Sequence, residues 1–246
     1  MGKGLSFVVP FAVTTTCMAQ YDLGLGVGAY VYTLHVSDPS GPGGGSPSIT
    51  SDQAFPLTAS IVYRDRMPEK DCNFFAEVSW SHRSFTAHLD EGGLGGGRYT
   101  HADVKLDNLY LGFGPEWGQG PLTVRTGIQI GWVLGGTVEG YYGNWSIYPP
   151  PEGDWSKGTI SGSAHDYFIG DVRWTFALRY VLNIGKNLNL YFDPYMSPSF
   201  SSMLKDGDNK IRGVDFGLRV GVFSAFKGRG FWQRFRALAP DRIHSQ

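Results

Sequence analysis

The chain has 246 residues, 35 glycines and a formal charge of -1, with 15% aromatic and 17% charged residues. That length suits one large all-β domain, and the balanced charge, with no basic stripe before the last twenty residues, speaks against a nucleic-acid partner. No eighteen apolar residues run together, which excludes a transmembrane helix but not a membrane barrel, whose strands give a weaker hydropathy signal.

Residues 1–19 read as an export signal. Lys3 supplies the positive region, "LSFVVPFAV" the apolar run, and Ala19 a cleavage position that leaves Gln20 first. "MGKGLS" also fits a myristoylation pattern, but export explains more of the segment. Loss of Cys17 with the signal leaves Cys72 alone, so no internal disulfide is expected.

From residue 20 to 226 the chain shows period-two segments, each with one apolar face. "LGLGVGAYVYT" sets Leu23, Leu25, Val27, Ala29, Val31 and Thr33 against Gly24, Gly26, Gly28, Tyr30 and Tyr32. Leu57, Ala59, Ile61 and Tyr63 follow within Phe55–Arg66, then Phe74, Ala76, Val78 and Trp80 in "CNFFAEVSWSHRSF". Leu109, Leu111 and Phe113 come next, and the clearest alternation runs through Leu122, Val124, Thr126, Ile128, Ile130, Trp132 and Leu134. "YFIGDVRWTFALRY" aligns Phe168 with Val172, Trp174, Phe176, Leu178 and Tyr180. "NLNLYFDPYM" and "GVDFGLRVGVF" complete eight predicted strands.

The connections alternate in length. Ser37–Gln53, Asp90–Thr100, Gly140–Ser163 and Ser202–Arg212 are long and polar, whereas Met67–Asp71, Trp117–Pro121 and Asn183–Asn187 are turn-like. An even-stranded meander with long loops at one end and tight turns at the other is the layout of an up-and-down transmembrane β-barrel, with extracellular loops and periplasmic turns. Arg64, Glu77, Arg125, Asp171, Arg173, Arg179, Asp193, Asp215 and Arg219 lie opposite the apolar faces. An outward charge at mid-membrane costs about 2–4 kcal/mol, so the apolar set is expected to meet lipid and the charges to pair in the lumen. Eight strands leave room for little more than their own side chains, so these charges are expected to plug the barrel.

This pattern resembles the small bacterial outer-membrane barrels of the OmpA/OmpX type. The closing strand "GVDFGLRVGVFSAF" and the "AQ" at the end of the leader are similar to the PorT-like outer-membrane β-barrel domain family. The resemblance covers residues 21–226 and implies a bacterial outer-membrane location in contact with lipid and lipopolysaccharide. One departure is the continuation beyond the last strand.

In "WSHRSF", His82 and Ser84 share a face, and with Glu91 as the orienting carboxylate they resemble the arrangement of outer-membrane lipid A deacylases. His35, His88, His101 and His165 fall near loops without metal-motif spacing, so no metal and no cofactor are assigned. Loop aromatics between Gly140 and Ser163 offer a contact surface. Residues 227–246 form a basic periplasmic tail in which Phe231, Trp232 and Phe235 recur at helical spacing beside Arg229, Arg234 and Arg236, suited to the inner leaflet or to a protein partner. The expected function is a non-enzymatic structural or interaction subunit, accessory to a larger secretion or assembly complex. The alternatives are an outer-leaflet lipid A-modifying hydrolase and a small pore.

Overall fold

A computed structural model describes residues 20–37, 48–51, 55–66, 72–93, 96–118, 120–148, 156–205 and 210–227. The leader 1–19 and the tail residues Arg229, Phe231, Trp232, Arg234, Phe235 and Arg236 lie outside the described residues. In chain order the elements are β1 Gln20–Ser37, β2 Ser48–Ser51, β3 Leu57–Arg66, β4 Cys72–Gly93, β5 Gly96–Trp117, β6 Leu122–Ser146, β7 Lys157–Ser163, α1 Ala164–Tyr167, β8 Val172–Asn183, β9 Leu188–Pro198 and β10 Lys210–Lys227.

Eight of these strands close into one antiparallel ring in the order β1, β3, β4, β5, β6, β8, β9, β10. The ring is sealed between the first and last strands, which pair continuously from Gln20↔Lys227 to Ser37↔Lys210. Closure leaves the ring no free edge in the membrane, where an unpaired backbone group costs several kcal/mol. The short strands β2 and β7 stand outside the ring, on β4 and β6 respectively.

Alternation decides which side faces lipid. Leu25 and Val27 on β1 are 61% and 67% exposed, while their strand-mates Asp22, Gly24 and Gly26 are buried. The same phase exposes Ile61, Val78, Leu111, Val124, Trp174, Phe176, Leu218 and Val222. Among the described residues no charged side chain interrupts this belt. Tyr21 stacks on Tyr63 and on Phe226 at the turn end, placing aromatic rings at one margin of the belt. The lumen glycines make room for rings from across the sheet: a Cβ on Gly26 would collide with the Tyr191 hydroxyl.

Two expectations are corrected. Much of Asp90–Thr100 and Gly140–Ser163 is strand rather than loop: β4 and β5 pair rung by rung to Gly93↔Gly96, and β6 continues to Ser146 with β7 beside it. Crossing a membrane takes about 9–11 residues per strand, so β4, β5 and β6, at 22, 22 and 25 residues, project far beyond it. Outside the belt no face must be apolar, so the alternation fades while the hydrogen-bonded ladder continues. The loop ranges Ser37–Gln53 and Ser202–Arg212 likewise contain β2 and the start of β10.

The second correction concerns Phe168. It lies in the interior at 5% exposure, not on the lipid face, because the one-turn helix α1 and residues 169–171 break the ladder before β8 begins. β6 also carries a bulge, just past the end of the outward alternation that Leu134 closes. Asp107 pairs with Gly135 and Asn108 with Val133, so Leu134 is unpaired and the inward phase flips to even numbers, bringing Val138 inside. Gly136 makes the bulge possible at φ +131°; a Cβ there would collide with the Lys105 carbonyl oxygen.

Candidate functional site

The lumen has two tiers. Its turn-side half is filled by arginines and carboxylates held in fixed positions by the rigid ring. Arg125 bridges Glu77 at 2.8 Å and Asp193 at 2.5 Å; Arg179 bridges Asp193 at 3.0 Å and Glu116 at 3.2 Å. Arg219 joins the same cluster through Glu77 and through Asp193 at 3.3 Å. Glu116 also receives Arg64 at 2.5 Å and the Thr123 hydroxyl at 2.9 Å, and Asp22 receives Arg66 at 2.7 Å. Nearer the loop end a second cluster joins Arg173 to Asp171 at 2.6 Å and to Asp215, which Arg83 reaches at 2.7 Å. The Tyr110 hydroxyl donates to Asp171 at 2.9 Å.

The residues at this level are almost fully shielded from solvent. Arginine planes also lie over aromatic faces: Arg125 over Phe75 at 3.9 Å, Arg219 over Tyr195 at 4.4 Å and Arg179 over Tyr191 at 4.8 Å. The void among Tyr30, Tyr110, Arg173, Asp215 and Arg219 measures about 20 Å³, room for about one water molecule. The structure thus places all nine lumen residues named from the sequence inside the barrel, in two separate clusters. Sequence reasoning missed Asp22, Arg83 and Glu116. Parity alone could have found them: Arg83 shares the phase of Glu77, Glu116 that of Tyr110, and Asp22 that of Gly24.

Above the charges the interior turns apolar. Phe85, Val104, Leu106, Val138, Phe168 and Ile211 form a buried cluster capped by α1 and Met203. Beside it a half-open pocket of about 200 Å³ is lined by Val36, Ile49, Val104, Ile160 and Phe168. Tyr30 and Tyr32 form the floor of the cluster against Arg83, which lies 5.6 Å and 5.7 Å from their ring centres. The charge-lined interior expected from the sequence therefore occupies only the turn-side half.

The outer face of the β4–β5 hairpin carries a polar strip just beyond the belt. His82 Nδ1 lies 2.9 Å from Asp107 Oδ1, its directly opposed partner on β5. Ser84 is on the same face of β4, opposite Lys105. The backbone position of Glu91, opposite Arg98 in the ladder, is nine residues further along β4 than His82, or about 30 Å at the rise of a strand. The carboxylate at His82 is Asp107. Behind this strip, the Tyr30 hydroxyl donates to His82 O at 2.9 Å and the Tyr32 hydroxyl to Ser84 O. These hydroxyls occupy the interval where neither β2 nor β3 pairs with β4.

Of the other histidines, His165 donates from Nε2 to Leu134 O at 3.0 Å, and His35 lies opposite Arg212 on β10. His88 and His101 oppose each other on β4 and β5. Among the loop aromatics, Tyr141 stacks on His101, Tyr142 lies 5.2 Å from Arg98, and Tyr148 is 54% exposed.

No family model and no curated protein matches the chain. Solved structures do. Ail, the attachment invasion locus protein of Yersinia pestis, crystallised with the heparin analogue sucrose octasulfate, is 11% identical over 85% of this chain and 100% of its own, with a TM-score of 0.41. A major outer membrane protein from Thermus thermophilus is 14% identical over 85% and 99%, at 0.40. Neisserial surface protein A is 10% identical over 84% and 97%, at 0.33. With its closed eight-strand ring, outward apolar belt and buried charges, the chain is a small β-barrel of the outer-membrane type.

Proposed function

We propose that the chain is a non-enzymatic outer-membrane barrel that acts as an interaction subunit, accessory to a larger secretion or assembly complex. The resemblance of its closing strand to PorT-like barrels is consistent with that role. One observation carries the reading: the lumen is filled by two ion-pair clusters around a void of about 20 Å³, so the molecule offers surfaces rather than a passage. Those surfaces are the projecting β4–β5 and β6–β7 hairpins, with exposed Ile147 and Tyr148 near the tip of β6, and the basic tail at the other end. Lipid and lipopolysaccharide would surround the belt. The test is purification from membranes in mild detergent. The full chain should retain specific proteins that variants lacking 228–246, or 140–163, lose; identical co-purifying sets from all three would argue against the proposal.

A second reading is favoured by the His82–Asp107 contact. In an outer-leaflet lipid A-modifying hydrolase, Asp107 would orient His82, His82 would take the proton of Ser84 as its Oγ attacks an ester carbonyl and return it to the departing lipid alcohol, and water activated by His82 would then cleave the acyl-serine to free the fatty acid. Purified protein that releases fatty acid from lipid A, with loss in Ser84→Ala, would replace the first reading with this one.

A further inference from the structure

The β4–β5 hairpin brings two histidines into direct opposition well outside the belt. His88 and His101 are thirteen residues apart in sequence yet form one rung of the ladder, with Nδ1 facing Nδ1 at 3.0 Å. The rings tilt by 60°, with centres 4.4 Å apart. His101 is braced from its other side by Tyr141, its opposite number on β6, which stacks on it at 5.0 Å and 19°. Asp103, on the same face two residues along, places Oδ1 3.7 Å from His101 Nε2 and accepts the Thr86 hydroxyl at 2.7 Å.

Two neutral imidazoles in this arrangement share at most one proton between their Nδ1 atoms. A divalent cation seated about 1.4 Å to one side of the line between the nitrogens would take the place of that proton and be bound by both. With metal–nitrogen bonds of about 2.0–2.1 Å, a 3.0 Å span between ligands subtends about 94° at the ion. A tetrahedral ion needs a span of about 3.3 Å, whereas adjacent positions on a square-planar or octahedral ion need about 2.9 Å. The bite therefore suits ions of tetragonal preference. Asp103 is placed to accept Nε2–H of a metal-bound His101 after a small ring rotation, the outer-shell carboxylate usual at such sites.

We propose that His88 and His101 form a surface chelate for a divalent transition ion, Cu²⁺ in preference to Ni²⁺ and both over Zn²⁺, with water filling the remaining positions. The proposal departs from the metal-free expectation drawn from sequence, where a thirteen-residue spacing hid the pair. It is independent of the interaction and hydrolase readings.

The experiment is a Cu²⁺ titration of the full chain, free of any polyhistidine tag, in detergent. One ion per chain should bind, with two-nitrogen superhyperfine splitting in the electron paramagnetic resonance spectrum. His88→Ala and His101→Ala should each weaken binding at least tenfold and remove one nitrogen from the spectrum. Asp103→Ala should weaken it about tenfold, as outer-shell losses do. His82→Ala, on the same strand, should bind as the parent does. All four positions are on the hairpin surface, and heat-modifiable migration on gels verifies that each variant is folded. Equal affinity in His88→Ala and the parent, or a single-nitrogen spectrum in the parent, would overturn the site and leave only a shared-proton hydrogen bond.

Discussion

Arg83 Nη2 lies 2.7 Å from Asp215 Oδ2 across the barrel lumen, joining two residues separated by 132 positions in the chain. Asp215 also holds Arg173, so loss of Arg83 leaves the carboxylate paired, whereas loss of Asp215 leaves the fully buried Arg83 without its carboxylate. Asp215→Ala should cost about 3–5 kcal/mol and Arg83→Ala less. Arg83→Met with Asp215→Leu should cost less than the sum of the single changes. Urea unfolding in lipid vesicles, followed by tryptophan fluorescence, measures both.

The turn-side cluster predicts electrical behaviour. The intact protein should give no steady conductance in planar bilayers. Asp193→Ala with Arg179→Ala removes carboxylate and guanidinium from the point where three arginines meet, and should produce measurable openings. Large, stable conductance in the unaltered protein would contradict the plug.

The belt makes a complementary claim about the outside. Val27 is 67% exposed at the middle of β1. Val27→Arg should destabilise the barrel by about 2–4 kcal/mol in vesicles, whereas His35→Arg, beyond the belt on the same strand, should be close to neutral. The same vesicle unfolding assay distinguishes them.

The apolar upper tier behaves as an ordinary core. Phe85 is fully buried and meets Phe168 edge to face at 6.1 Å. Phe85→Ala should cost about 3–5 kcal/mol, and the cavity left should increase the uptake of small apolar probes detected by fluorescence.

The bulge provides the sharpest backbone test. Gly136→Ala places a methyl against Lys105 O in a backbone conformation that side chains rarely adopt, at a cost of about 1–3 kcal/mol. Gly135→Ala, with nothing within 4 Å of its Cβ, should be tolerated. Refolding yield into detergent compares the two.

Much of this molecule can be read along the chain. A strand turns its side chains by a half-turn per residue, so Leu23 to Thr33 or Leu122 to Leu134 separate lipid from lumen without reference to any neighbour, and parity extends that rule to Asp22, Arg83 and Glu116. What alternation cannot supply is anything that depends on register. The meeting of His82 with Asp107, of His88 with His101, and of the Tyr30 hydroxyl with the backbone of β4 all follow from which rung faces which. That is decided by hydrogen bonds between distant segments and by one bulge at Gly136, which reverses the inward phase and delivers Val138 to the interior. The apolar upper tier was hidden for a related reason: past the belt both faces can be apolar or polar, so only the closed ring determines that Phe85, Val104 and Leu106 point at one another. Local periodicity chooses a face; long-range pairing chooses the partners.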